Sequence, residues 1–388
     1  MREIIRVERK RVLNNKKLFI ILALVFMYSI FNCVNNYTGY NIYNSSGSIS
    51  IFAKDNLLDL KINGETVLNN EQLQKIINRR DKGGYASYLY VARIILANYS
   101  DKKLADITNE DISRFYNRRL LNIEDKFRQM QVFSDAQIDY LLSKASQLNT
   151  PIKVGYAESW RNINNDMIDF MPIILVILSI ILLSVFGNDQ KVGMEQLCLS
   201  TRYGKKTLIK AKILAGLEIG IGIYFISALL FTLPNLIIFG VDGVNLPLQS
   251  NVTHFYSAYN ITYLQQYFLN VSMGFIAAFM MISIVLFLTS AAEHILSGAV
   301  LTVFLWVLML ALPNNLISNF GISHYITNFL PYNITNFSSY YNLCELYSAF
   351  GKPILSAYWI IPAGFLISVI LLAFTFALNN IKLEKKTL

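Results

Sequence analysis

Residues 171–187, "MPIILVILSIILLSVFG", and 195–212, "EQLCLSTRYGKKTLIKAK", decide the fold between them. The first carries no charge and approaches the roughly 20 apolar residues that a helix needs to cross the hydrocarbon core of a bilayer. The second is short, basic and helix-patterned. It leads straight into another apolar run, "ILAGLEIGIGIYFISALLF", at 213–231. Working outward, six apolar runs emerge: about 18–35, 168–187, 213–239, 267–290, 295–313 and 356–379. The chain of 388 residues is 54% hydrophobic and only 15% charged, where a soluble chain carries about a quarter charged residues. Hydrocarbon offers backbone N–H and C=O groups no partner, so each run should be a helix. The alternation that marks membrane β-strands is absent. The expected fold is all-α: a polytopic membrane protein with six transmembrane helices.

The first run follows the basic lead "MREIIRVERKRVLNNKK" and reads "LFIILALVFMYSIF". No small-x-small cleavage site follows it, and Phe31 and Asn32 stand where a lipid-anchored Cys33 would need small residues. It is expected to stay as the first span, 18–36, behind a cytoplasmic basic segment, 1–17. Orientation follows from Lys and Arg in the short flanks. Residues 1–17 hold seven basic and two acidic residues; residues 188–212 hold six and two. The loops 240–266 and 314–355 hold one basic residue between them, Lys352. Both termini and the 188–212 loop are therefore expected in the cytoplasm of a multi-pass cell-membrane protein. The formal +9 charge then faces anionic lipid headgroups or a cytoplasmic protein, and no nucleic-acid partner is expected.

Residues 37–166 are of ordinary polarity and long enough to cross regardless of charge, so they should form an extracytoplasmic, mostly helical domain carried on two stalks. "DISRFYNRRLLNIEDKFRQM" (111–130) sets Ile112, Phe115, Tyr116, Leu120, Ile123 and Phe127 at helical spacing. Ser134 is placed to cap a helix bearing Ile138, Leu141 and Leu142. Residues 167–388 make up the five remaining spans. The aromatic segment 314–355 fits either short helices dipping into the outer leaflet or an interfacial loop. Pro234 and Pro362 should kink their helices, and Gly216, Gly220 and Gly222 offer a close-packing face. Glu218 would cost about 2.5–3.5 kcal/mol at mid-bilayer; under two turns from Lys212, it is expected at the cytoplasmic interface.

Chemistry is conspicuous by omission. Cys33, Cys198 and Cys344 and the isolated His254, His294 and His324 show no metal-ligand spacing. No phosphate loop occurs: in "YGKKT" Lys206 takes the Ser/Thr position and Leu199 the place of the first glycine. No enzyme activity, metal or cofactor is expected of this chain, and ATP-driven work would fall to another one.

On a helix Met194, Leu197, Cys198 and Thr201 share one face while Glu195, Leu199 and Arg202 share another. Two readings stay open on these residues alone: an amphipathic lever tied to a span at each end, or a solvated basic connector. "VGYAESWRNI" (154–163), a span, and then "FGNDQKVGMEQLCLSTRYGKKTLIKAKIL" (186–214) resemble the permease subunits of type-two ABC exporters, of the Gram-positive bacterial kind. The family pattern falls on Asp189, Gly193, Glu195, Leu199, Ser200, Thr201, Gly204 and Lys212, with Trp160 as its tryptophan. Glu158 and Ser159 replace an Asp-Gly pair, and Lys205 replaces an arginine, keeping the charge without the bidentate fork.

The resemblance implies that the 188–212 loop is a coupling helix docking into a separate ABC ATPase subunit, with Glu195, Arg202 and Lys205 among its contacts. It also implies that the basic N-terminal segment is a connecting helix along the membrane, and that a second permease copy or paralogue completes the transporter among the membrane lipids. Glu8 interrupts the apolar side of that segment. Export of an amphiphile (peptide, lipid or drug) is the implied activity. The alternative is a membrane sensor or mechanotransmitter that binds an extracellular ligand through 37–166 and transports nothing.

Overall fold

The computed structural model describes residues 1–44, 47–78, 86–187, 204–292, 294–312, 327–349 and 352–385. Helix dominates them. Five helices are long and apolar enough to cross a membrane: α2 (Asn15–Gly39), α9 (Glu158–Gly187), α10 (from Gly204, apolar over Lys206–Phe239), α11 (Tyr263–Ala291) and α15 (Ser356–Lys385, apolar to Ile381). Numbering follows the chain, with α1 at Arg2–Val12, the short helices α3–α8 between α2 and α9, α12 at Ile295–Ala311, and α13 and α14 before α15. The run expected as a fifth span, 295–313, is the 17-residue α12. At 1.5 Å per residue it is about 26 Å long, under the roughly 30 Å of a hydrocarbon core.

α11 is the centre of the bundle and packs along α9, α10 and α15. Its Met273, Ile276, Ala277, Met280, Met281, Ile282 and Val285 are all buried. α2 and α15 lie at the periphery and expose Phe19, Phe31, Leu366 and Phe374, side chains suited to hydrocarbon rather than water. Two of the three glycines expected to allow close helix approach do so. A Cβ on Gly220 would fall 2.5 Å from Ile282 and one on Gly216 3.0 Å from Leu286, both on α11, whereas Gly222 faces open space.

The helices alternate in direction between two ends. At one end, which carries the basic residues, the start of α10 meets α1 and the late part of α15, where the Lys210 ammonium sits 5.4 Å from the Phe376 ring. Gly187, closing α9, packs against Ile295 at the start of α12. The opposite end is built from three polar segments. The first holds α3 (Ala53–Asn63), α4 (Asn70–Asn78), α5 (Ala86–Asn98), α6 (Asn109–Ser113), α7 (Phe115–Met130) and α8 (Asp135–Ser146). An antiparallel pair, Thr66–Val67 with Lys153–Val154, ties its beginning to its end. Ser134 caps α8 in a reciprocal capping box with Gln137, and Ile112, Phe115, Ile123 and Phe127 point inward as their spacing implies.

That segment packs against the 240–262 connection. Its core of Leu73, Val91, Ile94, Ile95, Tyr99, Phe115 and Ile152 includes Phe255 from the 240–262 connection. Arg119 supplies the reason. It is fully buried, among the described residues it pairs with no carboxylate, and it donates to the carbonyls of Phe255 (2.9 Å), Ser257 (3.2 Å) and Ala145 (3.3 Å). Burial lowers its pKa to about 10, and the three carbonyls keep the charge solvated. The third segment is the described part of 314–355. It contains α13 (Pro331–Ile334) and α14 (Phe337–Leu343), packed against α9 and α11, and an antiparallel strand pair, Leu346–Ala349 with Lys352–Leu355, against α15. Cys33 and Cys344 are both free and buried, in separate clusters.

Candidate functional site

The structure frames the predicted coupling loop rather than displaying it. Asp189, Gly193, Glu195, Leu199, Ser200, Thr201 and Arg202 lie outside the described residues, and Gly204 and Lys205 form the backbone start of α10. Helix therefore runs unbroken from Gly204 into the apolar segment, with Pro234 inside its later part.

What fixes that start is Lys212. Its ammonium donates to the carbonyl of Val185, near the end of α9, at 2.9 Å. It also pairs with Glu8 of α1 at 3.5 Å, where the two side chains are only 5% and 6% exposed. Glu8 in turn accepts from Arg11 at 2.9 Å. The last turn of α9, the first turns of α10 and the N-terminal helix are thus tied at one ammonium, immediately on both sides of 188–203. One turn and a half further along, Glu218 pairs with Arg9 at 3.2 Å, half-exposed, which places this acid at the basic end of the bundle.

Glu8 is where the sequence misled most. As an acid interrupting an apolar stripe it weakens the case for an amphipathic helix. In the fold it is among the most buried residues of α1, because α1 lies against α10 and presents Glu8 to Lys212. A signal existed: a lone acid on the inward face of a basic helix needs a buried cation, and Lys212 is the basic residue that opens the apolar stretch.

At the other end of α9, Trp160 donates from its indole N–H to the carbonyl of Val241 at 3.1 Å and stacks edge-on against Tyr267. Beside it Arg161 donates to Glu158, to the Tyr263 hydroxyl (3.0 Å) and to the Gly155 carbonyl (2.8 Å), with Tyr90 4.1 Å from the guanidinium. The Tyr40 hydroxyl donates to the same Glu158 carboxylate. Gly243 closes this junction with φ +74°, and a Cβ there would fall 2.1 Å from the carbonyl oxygen of Tyr156. Glycine is therefore required by both conformation and space. Trp160 and its neighbours hold the polar segments to the ends of α2, α9, α10 and α11.

Among the described residues no group of three or more His, Cys, Asp or Glu side chains could hold a metal ion. No family model matches the chain, and neither a curated protein nor a solved structure matches it.

Proposed function

We propose that the chain is the permease subunit of an ABC exporter, coupling ATP hydrolysis on a separate ATPase subunit to movement of an amphiphile across the cell membrane. The observation that carries this reading is the Lys212 junction. It ties α1, α9 and α10 together on both sides of 188–203, as a lever needs if a push on the loop is to move two spans together. A solvated connector would need no buried ion pair at its root. The resemblance of 154–163 and 186–214 to type-two ABC permeases supports the same reading.

In this reading α12 is a sixth span. Its Ile295 lies beside Gly187, at one end of α9, and its Leu310 lies with Asp169 around one cavity, 18 residues up the same helix. Those 18 residues rise about 27 Å, so the 17-residue helix covers nearly the full crossing. Six spans put both termini on the cytoplasmic side and the segments 42–154, 240–262 and 327–355 outside. ATP-driven closure of the ATPase pair would shift the loops of two permease copies, and each α9–α10 unit would follow as a body. The outer assembly, held to α9 and α11 by Arg161 and Trp160, would move with them.

The test is Glu195→Ala in the full chain. It should insert and fold normally yet uncouple ATPase activity from transport; wild-type transport in both Glu195→Ala and Gly204→Pro would refute the assignment.

A further inference from the structure

His254 sits where three outer segments meet. It belongs to the 240–262 connection, is 3% exposed and packs edge-on against the Tyr341 ring of α14. Its Nδ1 lies 2.9 Å from the Asn342 side-chain oxygen, and the Asn342 amide N–H donates to the Ser338 hydroxyl. Nδ1 therefore carries a proton and donates. The backbone carbonyl of the same Asn342 accepts from the Lys126 ammonium of α7 at 2.6 Å. Just after α14, the buried Cys344 sulfur accepts from the Ala258 N–H at 3.4 Å. The connection and α14 are thus joined twice. α7 is joined to both, since Arg119 holds the carbonyls of Phe255 and Ser257.

The charge around this joint is lopsided. Lys126 and Arg119 bring two cations to it from α7, and α5, which also packs against 252–254, carries the exposed Arg93. Acids on the neighbouring elements are engaged or exposed. On α7 Glu124 pairs with Arg128 and Asp125 is exposed. On α9 Asp166 accepts from Asn36 and Asp169 is exposed. Beyond Cys344, Glu345 accepts from Asn328. Among the described residues no carboxylate pairs with His254. Burial lowers the His254 pKa; the Asn342 bond opposes this, and Lys126 adds to it. The folded value therefore lies below the unfolded one of about 6.5. The neutral ring's stabilisation is complete above that pH and is lost as pH falls below it. A cavity of about 270 Å³ adjoins the joint, lined by His254 with Asn165, Gln266, Ser338 and Tyr341.

We propose that the His254–Asn342 joint is an acid-sensitive latch: at neutral pH it closes α14 onto the 240–262 connection, and mild acid releases it and opens the cavity between them. The charge that arrives with the proton joins Lys126 and Arg119 without an acid to pair with, and water relieves it only when the joint parts. In the six-span reading this end faces outside, so the latch would answer to external pH. The latch itself does not rest on that reading.

Cys344, buried in the joint, reports its opening. The full purified chain in nanodiscs, without any ATPase partner, is exposed to a pyridyl disulfide, which reacts with thiols even in mild acid. Modification of the Cys344 peptide is followed by mass spectrometry and normalised to a free thiol at each pH. A latch that takes up one proton responds by at most about tenfold per pH unit. Between pH ~7 and ~5, above the carboxylate range, Cys344 reactivity in the wild-type chain should rise about tenfold. His254→Asn keeps an N–H near the Nδ1 position and takes up no proton, so its Cys344 should stay at the neutral-pH value throughout. Lys126→Gln keeps a donor for the Asn342 carbonyl without the charge, and should cut the rise about twofold or more. No rise in the wild-type chain, or the same rise in His254→Asn, overturns the latch. Should His254→Asn fail to fold, an undiminished rise in Lys126→Gln overturns it instead.

Discussion

Replacing Glu8 with Gln removes the carboxylate that faces Lys212 and Arg11. Lys212 keeps the Val185 carbonyl at 2.9 Å, a neutral acceptor, for a side chain only 5% exposed. Breaking a buried pair by removing one member costs about 3–5 kcal/mol. The converse, Lys212→Met, leaves Glu8 with Arg11 at 2.9 Å, so its cost should fall near the lower bound. Removing both charges strands neither, so the double variant should be less destabilised than the sum of the singles, with a coupling of about 1–3 kcal/mol. The assay is reversible unfolding in mixed micelles titrated with denaturing detergent and followed by tryptophan fluorescence for all four proteins. Protease sensitivity of residues 1–14 reports separately on whether α1 stays docked. Single variants within about 0.5 kcal/mol of wild type, or strictly additive effects, would show that Lys212 does not join α1 to the α9–α10 unit.

Arg119→Leu strands three buried carbonyls and should cost about 3 kcal/mol or more, lowering the melting temperature and opening 240–262 to protease; an unchanged melting temperature would contradict this. Asp111 is held at about pH 2 first by the Lys102 ammonium and then by the Thr108 backbone N–H. Its folded pKa lies below the unfolded value of about 3.9, so its stabilisation is present above pH ~4 and is lost as pH falls towards 2. Asp111→Asn should therefore lower stability at neutral pH and flatten the decline between pH ~4 and ~2 in an acid titration; parallel curves would refute that. A cysteine placed at Leu388 of a Cys198→Ser chain should react with a membrane-impermeant maleimide only after cells are broken, as six spans require. Labelling in intact cells would leave five.

The bundle was legible because long apolar runs admit one backbone solution in a bilayer, and the helical periods around Phe115, Ile123 and Ile138 were clear for the same kind of reason. Tertiary pairings were not. Arg119 sits in a pattern of exposed charges, and nothing local distinguishes it from Arg118, which pairs with Asp101 at the surface. Its three carbonyl partners are up to 138 residues away. Glu8 was read against its helix because the residue that justifies it is in another element. The helical period in 37–166 marks an inward face without saying what covers it, and so did not reveal that Phe255 joins that core. The 295–313 run was measured by hydropathy alone, which does not see where Ala311 ends the helix. Of the coupling residues, Gly204 and Lys205 lie at the start of α10, and the others fall outside the described residues.

The central claim is that 188–203 meets an ATPase. The most direct measurement is purification of the tagged chain from its native membranes in mild detergent, beside its Glu195→Arg variant, with partners identified and quantified by mass spectrometry. A protein bearing a phosphate-binding loop should accompany the wild-type chain in stoichiometric amount and be lost from the variant, while both chains remain folded and in the membrane. If no nucleotide-binding protein accompanies the wild-type chain, and crosslinking in intact cells captures none at residues 195–202, the coupling account is wrong.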